Sequence, residues 1–361
     1  MTEGTAELLA KVTPQIALSV QEQLVQLFTA RGRRVIVIAG PTGVGKTTLS
    51  LDLAQKLKGE IISADSMQVY RGMDIGTAKV SKEEQKEIPH HLINICNITE
   101  SFNAHDYFVQ ATQAIEQIFA RNNVPMVVGG TGFYLHTLLY GPPSGPPSNP
   151  DIRKALEHEA DRFGIDLLFD RLESLDPTYA ASITRNDNHK IIRALEIIHL
   201  SGQPVSNFSW KQRPLLPTYD FRCWFLYRSR DKLYERLDRR CEEMISQGLL
   251  EEVKRLDHAG IRKNPTARQA IGYRQTLEYL ETSQSPEEYS RYIERFKQSS
   301  RHLAKRQFTW FKKEPSFRWL DIEEVSSEEV VDIIASDYEH PVPIAPPPPK
   351  PPRPPTFGLG D

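Results

Sequence analysis

The stretch that most restricts how this chain can fold is 34–57. Arg34–Ala39 (RVIVIA) is a continuous apolar run of the kind found in strands buried on both faces. It runs directly into Gly40-Pro41-Thr42-Gly43-Val44-Gly45-Lys46-Thr47, which fits the pattern G-x-x-x-x-G-K-[ST]. A helical period follows from Thr47 to Leu57. Strand, glycine loop and helix together predict a loop whose backbone N–H groups turn inward around phosphate oxygens. The helix N-terminus adds partial positive charge there. Lys46 is then a point charge for the terminal phosphates, and the Thr47 hydroxyl a ligand for a magnesium ion. The motif specifies a diphosphate or polyphosphate and leaves the identity of the molecule open.

Further strands read at Glu60–Ala64 and Pro125–Val128, separated by a helix with apolar positions Phe108, Ala111, Ile115 and Ile118/Phe119. Strands alternating with helices predict an α/β domain with a parallel sheet. Residues 141–150 hold five prolines and two glycines and mark a loop or boundary. Residues 151–220 read as mainly helical, and Cys223–Tyr227 reads as a strand returning to the sheet. From Leu233 to Leu256 the apolar positions again keep a helical period. The expected organisation is an N-terminal extension (1–32), a core (33–140 and 221–320), a helical insertion (141–220), and an acidic segment with a proline-rich, extended tail (321–361). Ten of the fifteen residues at 341–355 are proline, which sets that last expectation.

Two strand-end segments are candidates for chemistry. Asp65 stands just past the second strand, where open α/β sheets present their ligand crevice. A carboxylate there accepts a proton or binds a cation, although a helix N-cap or turn aspartate looks the same locally. Gly129-Gly130-Thr131-Gly132 follows the third strand and allows close approach of backbone to a ligand, or a plain tight turn. His90-His91 reads as structural. Three separated cysteines (Cys96, Cys223, Cys241) support neither a disulfide framework nor a Cys-rich zinc site. A reducing cytoplasm is the expected setting, with no membrane span and no demand for more than a monomer.

The formal net charge of −2 conceals two blocks. Residues 289–319 carry nine Lys/Arg and two acids, interleaved with eight aromatics, whereas 321–340 carry eight acids and no Lys or Arg. The basic block suits RNA phosphates and stacked bases, or a solvated helix face with its aromatics buried.

Taken together, GPTGVGKT (40–47), SADSMQVYRGMDIGTAK (63–79), PHHLINI (89–95), VGGTGFYL (128–135), RNDNHKIIRALEI (185–197), AIGYRQ (270–275) and AKRQFTWF (304–311) closely resemble the bacterial tRNA dimethylallyltransferase (tRNA isopentenyltransferase) family. The resemblance covers 34–320 in family order. It implies a P-loop NTPase-like parallel core with a mainly helical insertion, and transfer of a dimethylallyl group from dimethylallyl diphosphate to N6 of the adenosine 3′ to the tRNA anticodon. It implies that Gly40, Pro41, Thr42, Gly43, Val44, Gly45, Lys46, Thr47 and Arg240 bind the diphosphate, with magnesium on Thr47. Asp65 is then the general base. Contacts to the tRNA anticodon arm fall to Asp65, Ser66, Met67 and Gln68, to Thr131 and Arg153, to His189, Lys190, Ile191, Ile192 and Arg193, and to Gln269, Ala270, Ile271, Gly272, Tyr273 and Arg274. An adenylate isopentenyltransferase, acting on free AMP, ADP or ATP, shares the phosphate loop and the strand-end aspartate and is the alternative.

Overall fold

The computed structural model describes residues 33–142, 145–208, 215–216 and 218–340. The readings for 1–32 and for the proline-rich tail from 341 lie outside them. The described chain divides into two compact units, Tyr140–Leu215 and the remainder.

The larger unit is built on six parallel strands: β1 (Arg34–Ala39), β2 (Gly59–Ala64), β3 (His90–His91), β4 (Val124–Gly129), β5 (Asp220–Tyr227) and β6 (Arg318–Asp321). Their order is β3-β2-β4-β1-β5-β6, with every pair parallel. Its helices are α1 (Lys46–Leu57), α2 (Lys82–Glu87), α3 (Ala104–Ala120) and α4 (Gly132–Tyr140) in the first half. The smaller unit carries α5 (Pro150–Phe163), α6 (Ile165–Leu175), α7 (Pro177–Ala180) and α8 (Asn188–Ser201). The chain then adds α9 (Arg230–Ser246), α10 (Leu249–His258), α11 (Tyr273–Leu280), α12 (Pro286–Phe311) and α13 (Ser327–Glu339) to the larger unit.

β1 is central because its five residues from Val35 to Ala39 are fully buried and apolar, and only a strand covered on both faces accepts such a run. Its end sets the geometry of the site. Ala39 and Ala64 both stand level with Gly129. The loops after β1 and β2 therefore leave the same edge of the sheet two strand spacings apart, about 10 Å. Glu60 is the charged residue inside β2. It accepts from Arg121 Nε and Nη2 at 2.9 and 2.7 Å and from Asn123 at 2.7 Å, and bonds His91 Nε2 at 2.7 Å. Burial would raise its pKa, but these partners hold it at about 2.

Two boundaries differ from the sequence reading. The larger unit continues past 320: β6 closes the sheet beside β5, and α13 lies against α1 and β5. Net charge concealed this, since α13 presents Val330, Val331, Ile334 and Ala335 to the core and, apart from Asp337, its acids elsewhere. Its Asp337 turns inward to accept from Arg222 of β5 and from Arg318 Nη1 at 2.8 Å. The helical period read from Leu233 to Leu256 is two helices. Gly248, at φ +100°, breaks it.

The smaller unit is helical, as expected. Its core gathers Leu168, Phe169, Leu172, Ile191, Ile192 and Leu195 from α6 and α8.

Candidate active site

A cavity of about 740 Å³ opens at the carboxyl ends of the strands in the larger unit. The phosphate loop forms one wall. Gly45 caps α1 at φ +113°, a conformation that a side chain would strain, with open space around it. Four of the loop's carbonyls accept from cations. Lys46 Nζ donates to Gly40 O at 2.8 Å and to Pro41 O at 2.9 Å. Arg236 Nε donates to Gly43 O at 3.0 Å and Arg228 Nε to Val44 O at 3.1 Å. Arg240 donates to the Thr42 hydroxyl at 3.1 Å. Burial brings the Lys46 pKa down to about 7, helped by the Arg240 charge and opposed by Asp65. Burial likewise lowers Arg240, opposed by Asp65. A cluster of cations held below its ordinary basicity is one whose charge an anion would stabilise.

Asp65 stands on the same cavity. Its Oδ1 accepts from Met67 N at 2.8 Å, which fixes the carboxylate, and no described donor pairs with Oδ2. Ser66 N donates to Thr131 Oγ1 at 3.1 Å, tying the loop after β2 to the loop after β4. Gln68 accepts from Ser63 Oγ at 2.9 Å and donates to Thr77 O at 3.2 Å. Segment 65–79 is further clamped by Glu252 of α10. This buried carboxylate accepts from the backbone N–H of Asp74, Ile75 and Gly76 at 3.1, 2.8 and 3.3 Å and from Tyr273 Oη at 2.6 Å.

The cavity brings together the phosphate-loop residues Thr42, Gly43, Gly45, Lys46 and Thr47 with Asp65, Ser66, Met67, Gln68, Thr131 and Arg240, and with Gln269, Ala270 and Ile271. Tyr273 is not on it. Fully buried and bonded to Glu252, it supports the 74–76 turn and has no surface to offer RNA. Gly272 is buried too, while Arg274 is exposed. Arg153 and His189–Arg193 belong to the smaller unit. Ile191 and Ile192 fill its core, so their side chains are also closed to RNA; His189 and Lys190 are exposed. Contiguous motif segments carry such residues along because a helix alternates its faces.

Arg153 donates to Glu196 Oε2 at 2.8 Å, and Arg193 pairs with the same oxygen at 2.8 Å. Burial would raise the Glu196 pKa, but these arginines with Asn149 N and Ser148 Oγ hold it at about 2. The sequence reading missed Arg236 and Gln307, which also line the cavity. Arg236 lies one turn before Arg240, a spacing that places both on one helix face. The aromatics of 289–319 divide. Tyr292, Phe296, Phe308 and Phe311 form the buried face of α12 and Phe317 is buried after it, while Phe296 and Trp310 also line the cavity.

The family model described as IPP transferase matches residues 68–314. A tRNA dimethylallyltransferase of Protochlamydia amoebophila (strain UWE25) is 56% identical over 329 residues, covering 91% of this chain and 96% of that protein. The chain belongs to the IPP transferase family. A tRNA dimethylallyltransferase of Chlamydia felis (strain Fe/C-56) is 47% identical over 324 residues, covering 90% and 94%. Among solved IPP transferases, the full-length tRNA isopentenylpyrophosphate transferase of Bacillus halodurans is 40% identical with a TM-score of 0.62, covering 85% of this chain and 97% of that one. A eukaryotic dimethylallyltransferase solved acting on tRNA is 32% identical with a TM-score of 0.72, covering 86% and 80%. These are tRNA-modifying transferases. Nothing in their names favours action on free adenylate, the alternative weighed from the sequence.

Proposed function

We propose that this enzyme transfers the dimethylallyl group of dimethylallyl diphosphate to N6 of the adenosine 3′ to the anticodon of tRNA, releasing diphosphate. The observation that carries the reading is one cavity in which a cationic phosphate loop and an aspartate stand at level strand ends. Such a site separates a leaving group from a base by the length of a small alkyl donor. In the transfer, the N6–C1 bond forms as the allylic C1–O bond breaks. The electron pair of the broken bond goes to a diphosphate oxygen, and the N6 proton goes to Asp65.

The geometry described supports each role. Lys46 exchanges the Gly40 and Pro41 carbonyls for diphosphate oxygens, and Arg240 exchanges the Thr42 hydroxyl. Both then offset charge that grows on the leaving group. Asp65 Oδ1 is anchored by Met67 N, which leaves Oδ2 to take the proton. Since an exocyclic adenine amine is a weak nucleophile, positioning supplies much of the rate. The base reaches the cavity by leaving the anticodon-loop stack.

Magnesium fits on donor chemistry. Thr47 offers an exposed hydroxyl on the cavity, a hard oxygen ligand, and no cluster of three or more His, Cys, Asp or Glu able to hold a metal exists among the described residues. An ion there would be held by Thr47 together with diphosphate oxygens and water, and would neutralise part of the diphosphate charge.

A steady-state comparison of an anticodon stem-loop with AMP tests the acceptor. The stem-loop is expected to have much the higher kcat/KM, and a preference for AMP would overturn the reading.

A further inference from the structure

Gln307 of α12 makes a contact that none of the roles above uses. Its Oε1 accepts from Thr42 N at 2.9 Å, on the phosphate loop. Its Nε2 donates to Gly130 O at 3.0 Å, on the loop after β4. Both ends of one side-chain amide are therefore satisfied, and only one orientation of the amide allows it. The next residue, Thr131, bonds Ser66 N through its hydroxyl, and Ser66 follows Asp65. A continuous line thus runs from phosphate loop to Gln307 to Gly130-Thr131 to Ser66 and Asp65. The fit is close. A Cβ on Gly130 would lie 2.3 Å from Gln307 Nε2, and 3.2 Å from Gly40 O on the phosphate loop. Only glycine lets the amide sit between the two loops. Gln307 itself is half-buried and lines the cavity from α12, next to the buried Phe308.

We propose that Gln307 is a positioning residue that sets the separation between the bound diphosphate and the acceptor amine. The inference rests on the prenyl-transfer reading and deepens it. A two-ended amide holds two loops at one spacing, whereas a contact to one loop would leave the other free to drift. An error of about 1 Å between reacting groups costs on the order of 10²-fold in rate. With the spacing lost, the donor still binds, because Lys46 and Arg240 do not depend on Gln307 for their own contacts. The allylic centre is then open to water. In that side reaction an O–C1 bond to water forms, the C1–O bond to diphosphate breaks with its electron pair going to diphosphate, and the proton leaves to solvent. The product is dimethylallyl alcohol.

The test uses the full-length protein with dimethylallyl diphosphate and an anticodon stem-loop, and measures prenylated RNA, dimethylallyl alcohol, diphosphate affinity and Tm. Gln307→Met removes both hydrogen bonds at similar volume. Gln307→Glu keeps the acceptor for Thr42 N and removes the donor to Gly130 O. Gly130→Ala displaces the amide from the other side. Each is expected to lower kcat by roughly 10- to 100-fold. Diphosphate affinity should stay within about threefold of wild type for Gln307→Met and Gly130→Ala, whereas the carboxylate of Gln307→Glu repels diphosphate and that variant is read by its product ratio alone; in all three the alcohol-to-RNA product ratio should rise. The inference is overturned if the variants keep wild-type kcat and product ratio. It is overturned as well if kcat and diphosphate affinity fall in parallel in Gln307→Met and Gly130→Ala, which would make Gln307 a part of the anion site, or if kcat falls with the product ratio unchanged. If Gln307→Met does not fold, Gly130→Ala decides by the same readouts. A wild-type protein that prenylates no RNA would instead refute the underlying reading.

Discussion

The two units hold their cations in opposite ways. In the larger unit Lys46 rests on two backbone carbonyls of its own loop, with its pKa brought down to about 7. In the smaller unit Arg153 and Arg193 share one buried carboxylate, Glu196, held at about 2. A carbonyl is a weak partner that a phosphate displaces easily. A buried carboxylate is a committed one, and removing it leaves unpaired charge. The lesson is that a motif's basic residues divide into those poised for a ligand and those already used by the fold, and only the partner distinguishes them.

Predictions follow in order of size. Asp65→Ala should lower the single-turnover prenylation rate by roughly 10²–10⁴ with tRNA affinity largely intact. A near-normal rate would remove Asp65 from the base role and end the division of labour between the loops. Lys46→Ala should lower kcat/KM for the donor by about 10²–10³. In wild type that ratio should fall as pH rises above about 7, because the free enzyme loses the Lys46 proton there and binding an anion requires it. Lys46→Arg, charged throughout, should flatten the profile. Lys46→Met should melt no lower than wild type, since burial of this charge opposes folding.

Glu196→Gln should do the reverse. It is expected to destabilise the smaller unit by on the order of 3 kcal/mol, read by denaturant unfolding, while diphosphate binding stays unchanged. The folded pKa is depressed, so this stabilisation is full above the ordinary glutamate range and is lost as pH falls through about 2. Equal effects of Lys46→Met and Glu196→Gln on stability would break the comparison. The smallest expected effect belongs to Arg153→Ala, whose part-exposed guanidinium is already paired with Glu196. It should weaken tRNA binding modestly and lower the salt slope by about one, with the donor KM unmoved.

Much of this was legible in the sequence for physical reasons. The β1 run and its glycine loop leave one local structure available, and the strand-end rule placed Asp65 at the crevice. The basic block at 289–319 was ambiguous because aromatics among cations suit both stacking and core. Four-residue spacing buried one face of α12 and left Arg306 and Trp310 toward the cavity. The acidic block hid a core helix because net charge says nothing about which face is apolar. Gln307 joins partners 265 and 177 residues away, a relation that no local pattern encodes. The burial of Tyr273, Ile191 and Ile192 inside otherwise polar motifs was equally invisible, being set by packing partners distant in the chain.

The most direct test of the central claim is mass spectrometry of tRNA nucleosides after incubation of the protein with dimethylallyl diphosphate and unmodified tRNA. The account predicts one adenosine, in the anticodon loop, carrying a dimethylallyl group on N6, and none in the Asp65→Ala control at equal time. Unmodified nucleosides from a folded wild-type protein that binds diphosphate, or a prenyl group on any atom other than adenine N6, would contradict it.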